Sequence, residues 1–146
     1  MDVNRKAPAI ASAEGFIRAP LDLVWSVQTN IGEWGRWNPD VQSVAVKGPV
    51  QPGTEFRWKS GGRSIVSKIQ ELEPGRRIVW TGRSFGIRAI HVWTFAEREG
   101  GVWVQTEESF EGLVVVLVGG AIRIALGSTL QRALTALKRE CERRVQ

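Results

Sequence analysis

Paired turn residues punctuate the middle of this chain at short, regular intervals: Pro52-Gly53, Gly61-Gly62, Pro74-Gly75, Phe85-Gly86 and Gly100-Gly101. Such spacing cuts the chain into short extended segments joined by tight turns, which reads as an antiparallel meander. After Gly112 the apolar period changes from two to that of a helix. Ile122, Leu126, Leu130, Leu134, Leu137 and Cys141 advance by four or three and make one apolar stripe. A helix with one broad stripe needs a partner surface, and the sheet supplies it. A curved sheet wrapped on a single helix leaves room for a cavity.

The strands are read from their alternation. Thr54 to Lys59 is the cleanest, with Phe56 and Trp58 set against Glu55, Arg57 and Lys59. Ser64 to Glu73 puts Ile65, Ser67 and Ile69 on one face, and Arg77 to Gly82 does the same with Ile78 and Trp80. Ile87 to Glu97 groups Ile87, Ala89, His91, Trp93 and Phe95. Its other face, with Ile90 and Val92, is also partly apolar, so which face of this strand lines the cavity stays open. Val102 to Phe110 groups Val102, Val104, Thr106, Glu108 and Phe110.

Upstream, Val44 and Val46 mark one more strand, and Gly15 to Ala19 a short first strand. Between them Pro20 starts a helix with Leu21, Val24 and Trp25 on one face. Asn30 is placed to cap a second short helix with Glu33 as capping-box partner, and Asn38-Pro39 stops it. The order is strand, two short helices, six strands, long helix, which is an α+β architecture. The first strand is expected beside the last, protecting both edges.

With 146 residues the chain is long enough for one domain, expected over residues 13–146, after a flexible lead-in over residues 1–12. The lead-in lacks the apolar run of a signal peptide. The longest apolar stretch, Leu113 to Leu126, is broken by Gly119, Gly120 and Arg123 and falls short of the roughly 20 residues of a membrane span. One cysteine, Cys141, excludes an internal disulfide and fits a cytoplasmic location. The net charge of +5 is spread along the chain, apart from Lys138, Arg139, Arg143 and Arg144, which complement the end of the last helix. No nucleic-acid partner is expected, and a homodimer is compatible with the chain.

The segment Trp34-Gly35-Arg36-Trp37-Asn38-Pro39-Asp40-Val41 resembles the W-x-x-W-N-P-x-V signature of the START/Bet v 1-like (SRPBCC) superfamily, in its polyketide cyclase/dehydrase-type branch. Further similarity follows in order: Gly48 before Pro52-Gly53-Thr54, Ile69 to Trp80, His91 to Phe95, and Glu107 to Gly112. The resemblance implies a helix-grip fold, in which a curved antiparallel sheet of about seven strands wraps the C-terminal helix and leaves a cavity between them. It also implies a hydrophobic ligand: a lipid, a polyketide or an aromatic compound. Members of the superfamily are carriers, cyclases or hydratases, or assistants of a chaperone, and fold alone does not choose among these.

Phe56, Trp58, Trp80, His91, Trp93, Phe95 and Glu108 are the expected ligand-binding residues, with Ile69 and Ile78 in the same wall. Ligand pockets are mostly apolar with few polar groups, and a buried indole N–H wants a partner. His91, the one histidine, and Glu108 share interior parity on neighbouring strands and are the candidate catalytic pair, able to orient a ligand hydroxyl or move a proton. The same pair could be a structural polar contact. No cofactor or metal is expected, because one histidine and one cysteine cannot build a Cys/His cluster. The glycine pairs sit in turns and no nucleophile elbow occurs. The chain has no tyrosine, so a phenol acid is excluded. Cys141 lies on the apolar stripe as core filler. Arg123 is a candidate for an anionic ligand group at the cavity mouth. The leading reading is a small-molecule binding protein. The alternatives are a cyclase, aromatase or hydratase-type enzyme using His91 and Glu108, and a protein-interaction (co-chaperone-like) module.

Overall fold

The computed structural model describes residues Met1–Gln146. One antiparallel sheet holds β1 (Ala9–Ile17), β2 (Val41–Val46), β3 (Glu55–Ser60), β4 (Arg63–Glu73), β5 (Arg77–Ser84), β6 (Ile87–Arg98) and β7 (Gly101–Glu111). Their order in space is β1-β7-β6-β5-β4-β3-β2. β2 to β7 are therefore the expected meander, and β1 joins beside β7 as expected. That pairing leaves β1 and β2 as the two edges rather than protecting both. Between them lie α1 (Leu21–Thr29), one 3-10 turn (Ile31–Glu33) and α2 (Trp34–Trp37), and α3 (Leu113–Arg144) follows β7. The sheet grips α3, so the architecture is the helix-grip fold.

The turns do what their residues demand. The β5–β6 hairpin passes through Phe85 (φ 44°) and Gly86 (φ 76°), both left-handed as a two-residue primed turn requires. Gly112 opens α3 at φ 133°, and a Cβ there would lie 2.1 Å from the Gly86 carbonyl oxygen. The start of α3 is thus locked against the tip of that hairpin.

β1 begins at Ala9, inside the segment expected to be a loose lead-in, and pairs from Ala9↔Phe110 to Ile17↔Val102. Alanines and a glycine carry much of this strand, so its alternation is faint in the sequence. The small side chains have a packing reason: Leu134 of α3 approaches to 3.4 Å of where a Gly15 Cβ would stand. Residues ahead of β1 lie on the outer face of the sheet. Val3 is buried with Val79 and Val92 in a small second cluster flanked by Ile10 and Ile90. The Asn4 amide donates to Ser109 Oγ, and the Arg5 guanidinium pairs with Glu107. This cover is why the second face of β6 is apolar, which left its orientation open in the sequence.

The helical connection differs in detail from expectation. Pro20 is the N-cap of α1, one place before the first helical residue, and the Asn30 side chain makes no capping bond. Glu33 pairs with Arg36 instead of closing a capping box. In α1 the buried side chains are Val24, Val27 and Gln28, while Trp25 is half-buried edge-on to Phe95 with ring centroids 5.3 Å apart.

α3 is two helical segments joined at a kink at Val118 (φ −128°, ψ 26°), just ahead of Gly119 and Gly120, where helix propensity is weakest. Past the kink the expected stripe packs on the sheet, with Leu126, Leu130, Leu134, Leu137 and Cys141 buried. Before it, Leu113 and Leu117 are each 74% exposed. The helix is thus interrupted beside the glycines but continues through them, so its apolar stretch is longer than the segment Leu113 to Leu126 expected from the sequence. An 18-residue window of α3 reaches a mean hydropathy of 2.1, so by length and composition this helix is able to cross a bilayer.

Candidate functional site

Two adjoining chambers lie between the sheet and α3. The outer one has a volume of about 360 Å³. Its apolar wall includes Trp58, Ile65, Trp80, Ile87 and Ala89 from the strands and Ile122 and Leu126 from α3. The space exists because the strands carry small residues there: Ser67, Gly82 and Ala89 face each other across β4, β5 and β6. The inner chamber is about 60 Å³ and reaches under α1 and α2. Trp58, Trp80, Glu108, Asp40, Ser60 and Thr129 belong to both walls.

Aromatic rings stack from the α2 end inward. Trp34 contacts Phe56, Trp58 and Trp80 with centroids 5.6, 5.2 and 5.3 Å apart. Trp80 leads to His91 at 4.7 Å and His91 to Trp93 at 5.7 Å. Two indoles are anchored: Trp34 Nε1–H donates to the Gln28 carbonyl at 2.9 Å, and Trp58 Nε1–H donates to Ser67 Oγ at 3.0 Å. These bonds fix ring planes that apolar contact alone would leave free to rotate.

The expected polar pair comes together. His91 and Glu108 are direct partners in the β6–β7 register, with Nδ1 and Oε2 3.5 Å apart. His91 Nε2 is 2.8 Å from Thr106 Oγ1. Burial pushes the Glu108 carboxyl up to about 8, offset in part by the Arg63 guanidinium. Burial also pushes the His91 imidazole down to about 3. Both groups are therefore neutral at pH 7, a carboxylic acid facing an uncharged imidazole. The arrangement can donate a hydrogen bond or a proton from Glu108 and accept at an imidazole nitrogen.

Of the expected ligand-binding residues, Trp58, Trp80 and Glu108 line both chambers, and His91 and Trp93 line the inner one. Phe56 and Phe95 line neither; they are buried in the main core with Ile69 and Ile78. Arg123 is not in either wall, and Arg63, Arg83 and Arg132 stand around the outer chamber instead. Arg132 Nε holds Asp40 at 2.9 Å. Sequence reasoning missed Gln28, Trp37 and Thr129. The first two sit on the short helices, where helical spacing was readable but not the direction in which the helices dock. No group of three or more His, Cys, Asp or Glu side chains converges as a metal set.

The fold is widely shared. A hypothetical protein from Helicobacter pylori aligns with a TM-score of 0.84 at 16% identity, covering 94% of this chain and 90% of its own. A START superfamily protein from Mycobacterium smegmatis gives 0.78 at 14% identity, covering 92% and 97%. The Zhui aromatase/cyclase from Streptomyces sp. R1128 gives 0.77 at 19% identity, covering 94% and 95%. At such identities the likeness is one of fold. A search of the curated proteins finds no match. The family described as "Polyketide cyclase / dehydrase and lipid transport" matches residues 9–142, which is nearly the whole of the chain, and the chain belongs to that family.

Proposed function

We propose that this protein binds a hydrophobic small molecule, a lipid, polyketide or aromatic compound, in the outer chamber between the sheet and α3. The observation that carries this reading is a space of about 360 Å³ walled by tryptophan and aliphatic side chains between the sheet and α3. That volume lies within the range of small-molecule sites. A void of this size is a poor solution for stability alone, because its lining forfeits dispersion contacts. A cytoplasmic location belongs to the same reading and is supported by the single unpaired cysteine.

The test is native mass spectrometry on protein purified gently from its own host, followed by thermal unfolding with a lipid and aromatic library. A co-purifying mass that is lost on denaturation, or a ligand-induced rise in Tm, is the expected result. An apo mass together with no stabilising compound in the library would sink the reading.

A second reading is favoured by one feature, the protonated Glu108 beside neutral His91. An acid and a base of this kind, open to a ligand chamber, suit a cyclase or hydratase-type proton transfer. Glu108→Gln abolishing turnover of a bound ligand while leaving its affinity in place would establish it. Release of the ligand unchanged after prolonged incubation would leave the carrier reading.

A further inference from the structure

The buried side-chain polar atoms that lack a partner are gathered at the inner chamber. Gln28 Oε1, Trp37 Nε1, His91 Nδ1 and Trp93 Nε1 are buried without a hydrogen-bond partner. All four belong to side chains that line this one chamber of about 60 Å³. Gln28, His91 and Trp93 are only 3%, 6% and 2% exposed, so bulk water does not serve them. Buried polar groups are nearly always paired, and a cluster of exceptions asks for an occupant. Trp34 and Trp58, which line the same chamber, have their indole N–H groups paired within the protein, so these four atoms are what the chamber leaves unserved.

The chemistry of the wall narrows what the occupant is. No lysine or arginine lines the inner chamber, whereas three arginines line the outer one. An anionic head would leave those arginines to enter a space without a counter-charge. A cationic head would meet indole N–H groups, which only donate. Of the two carboxyls in the wall, Asp40 is already held by Arg132. The chamber thus suits an uncharged group. It offers donors at the Trp37 and Trp93 indoles and an acceptor at Gln28 Oε1. His91 Nδ1 is a second acceptor when Nε2 carries the proton toward Thr106, one it shares with the Glu108 acid 3.5 Å away. A carbonyl would satisfy the donors alone. A hydroxyl uses both sides of the set.

We propose that the inner chamber is a subsite for an uncharged hydroxyl group, alcohol or phenol, carried by the apolar molecule in the outer chamber. Its oxygen accepts from the Trp37 or Trp93 indole, and its proton is donated to Gln28 Oε1 or His91 Nδ1. The volume is several times the 10–15 Å³ or so that one water requires, so the group enters by displacing ordered water. This inference rests on the outer chamber being a ligand site.

The experiment compares naphthalene with 2-naphthol, two probes that differ by one hydroxyl, by equilibrium dialysis against wild type, Gln28→Leu and Trp93→Phe. The ratio of naphthol to naphthalene affinity is expected to fall about five- to tenfold in each variant. In unmutated protein, 2-naphthol is expected to move the Trp37 and Trp93 indole N–H resonances well beyond the displacement that naphthalene causes. This second readout does not depend on either variant folding. An unchanged ratio in folded variants, or indole resonances that respond equally to both probes, overturns the subsite and leaves the chamber as a structural water site. Binding of neither probe to wild type overturns the ligand-site reading itself, and the subsite with it. Naphthalene binding without any hydroxyl preference overturns the subsite only.

Discussion

Removing the proton from Glu108 is the perturbation with the sharpest consequence. Its folded pKa of about 8 lies above the ordinary 4.5, chiefly because burial penalises the carboxylate. The stabilising contribution of the neutral acid is complete below pH 4.5 and is lost as pH rises through 8. Each pH unit across that window costs about 1.4 kcal/mol, for a ceiling of about 5 kcal/mol. The side chain is 14% exposed and borders a chamber open to water, so roughly 2 kcal/mol is the realistic loss. His91 works in the opposite sense. Its pKa falls from 6.5 to about 3, so its contribution is complete above 6.5 and is lost as pH falls toward 3. Between 4.5 and 6.5 the two slopes cancel and stability is flat; above 6.5 only Glu108 acts. None of the other shifted groups titrates between 6.5 and 8, since the remaining carboxylates move down and the buried Cys141 thiol is pushed up to about 12. Glu108→Gln keeps the shape and removes the charge. Its Tm is expected to match wild type near pH 4 and to exceed it at pH 9 by about 4–8 °C, the equivalent of roughly 2 kcal/mol in a domain of this size. Tm profiles that run parallel from pH 6 to 9 would refute the reasoning, because they would mean that Glu108 ionises in the folded protein as it does in water.

Three further outcomes are expected. Phe56→Ala removes a fully buried ring packed on Trp34, Trp58 and Trp80, and urea unfolding should show a loss of about 3–5 kcal/mol; a loss under about 1 kcal/mol would mean that the aromatic stack collapses around the gap. Gly112→Ala forces a Cβ onto the Gly86 carbonyl at a left-handed φ, so a loss of about 3 kcal/mol or more, or no soluble protein, should follow, and a wild-type Tm would contradict the close approach. Amide hydrogen exchange should divide α3 at its kink, with Leu113 to Val118 exchanging well before Leu126 to Cys141, because the first segment exposes most of its aliphatic side chains; uniform protection along the helix would count against that division.

The strands of the meander were legible because each carries large apolar residues in strict alternation, bounded by turn residues that admit little else. The parity argument even placed His91 opposite Glu108, since neighbouring strands of a meander must pair and only the register was left to chance. Only the last part of β1 was legible, because its inward residues ahead of Ile17 are alanine and glycine, Gly15 lying under Leu134 of α3, and smallness carries no hydrophobic signal. Phe56 and Phe95 were grouped with the cavity wall because parity assigns a face and cannot say how far along a strand the filled core ends. The residues that complete the inner chamber, Gln28 and Trp37, lie on short helices whose docking depends on contacts remote in sequence.

Why the cavity is where it is follows from the same residues. At the β1 side, α3 descends until Leu134 touches the glycine backbone of the sheet, and the core there is closed. Toward β4 and β5 the strands carry Ser67 and Gly82, and a Cβ on Gly82 would already stand 3.3 Å from Ser67 Oγ, so the backbones cannot supply bulk of their own. On the helix side the wall is made by Ile122, Ala125, Leu126 and Thr129, past the kink at Val118. Small strand residues under this stretch of α3 leave a space that no side chain reaches. Trp58 and Trp80 stand where that space adjoins the chamber holding the unpaired donors and acceptors. A larger side chain at Ala89 or Ala125 would close the outer chamber at little steric cost to the rest of the core, and the chain carries alanine at both. The shape of the outer chamber is therefore set by a few small residues, Ser67, Gly82, Ala89 and Ala125, rather than by the large aromatic ones.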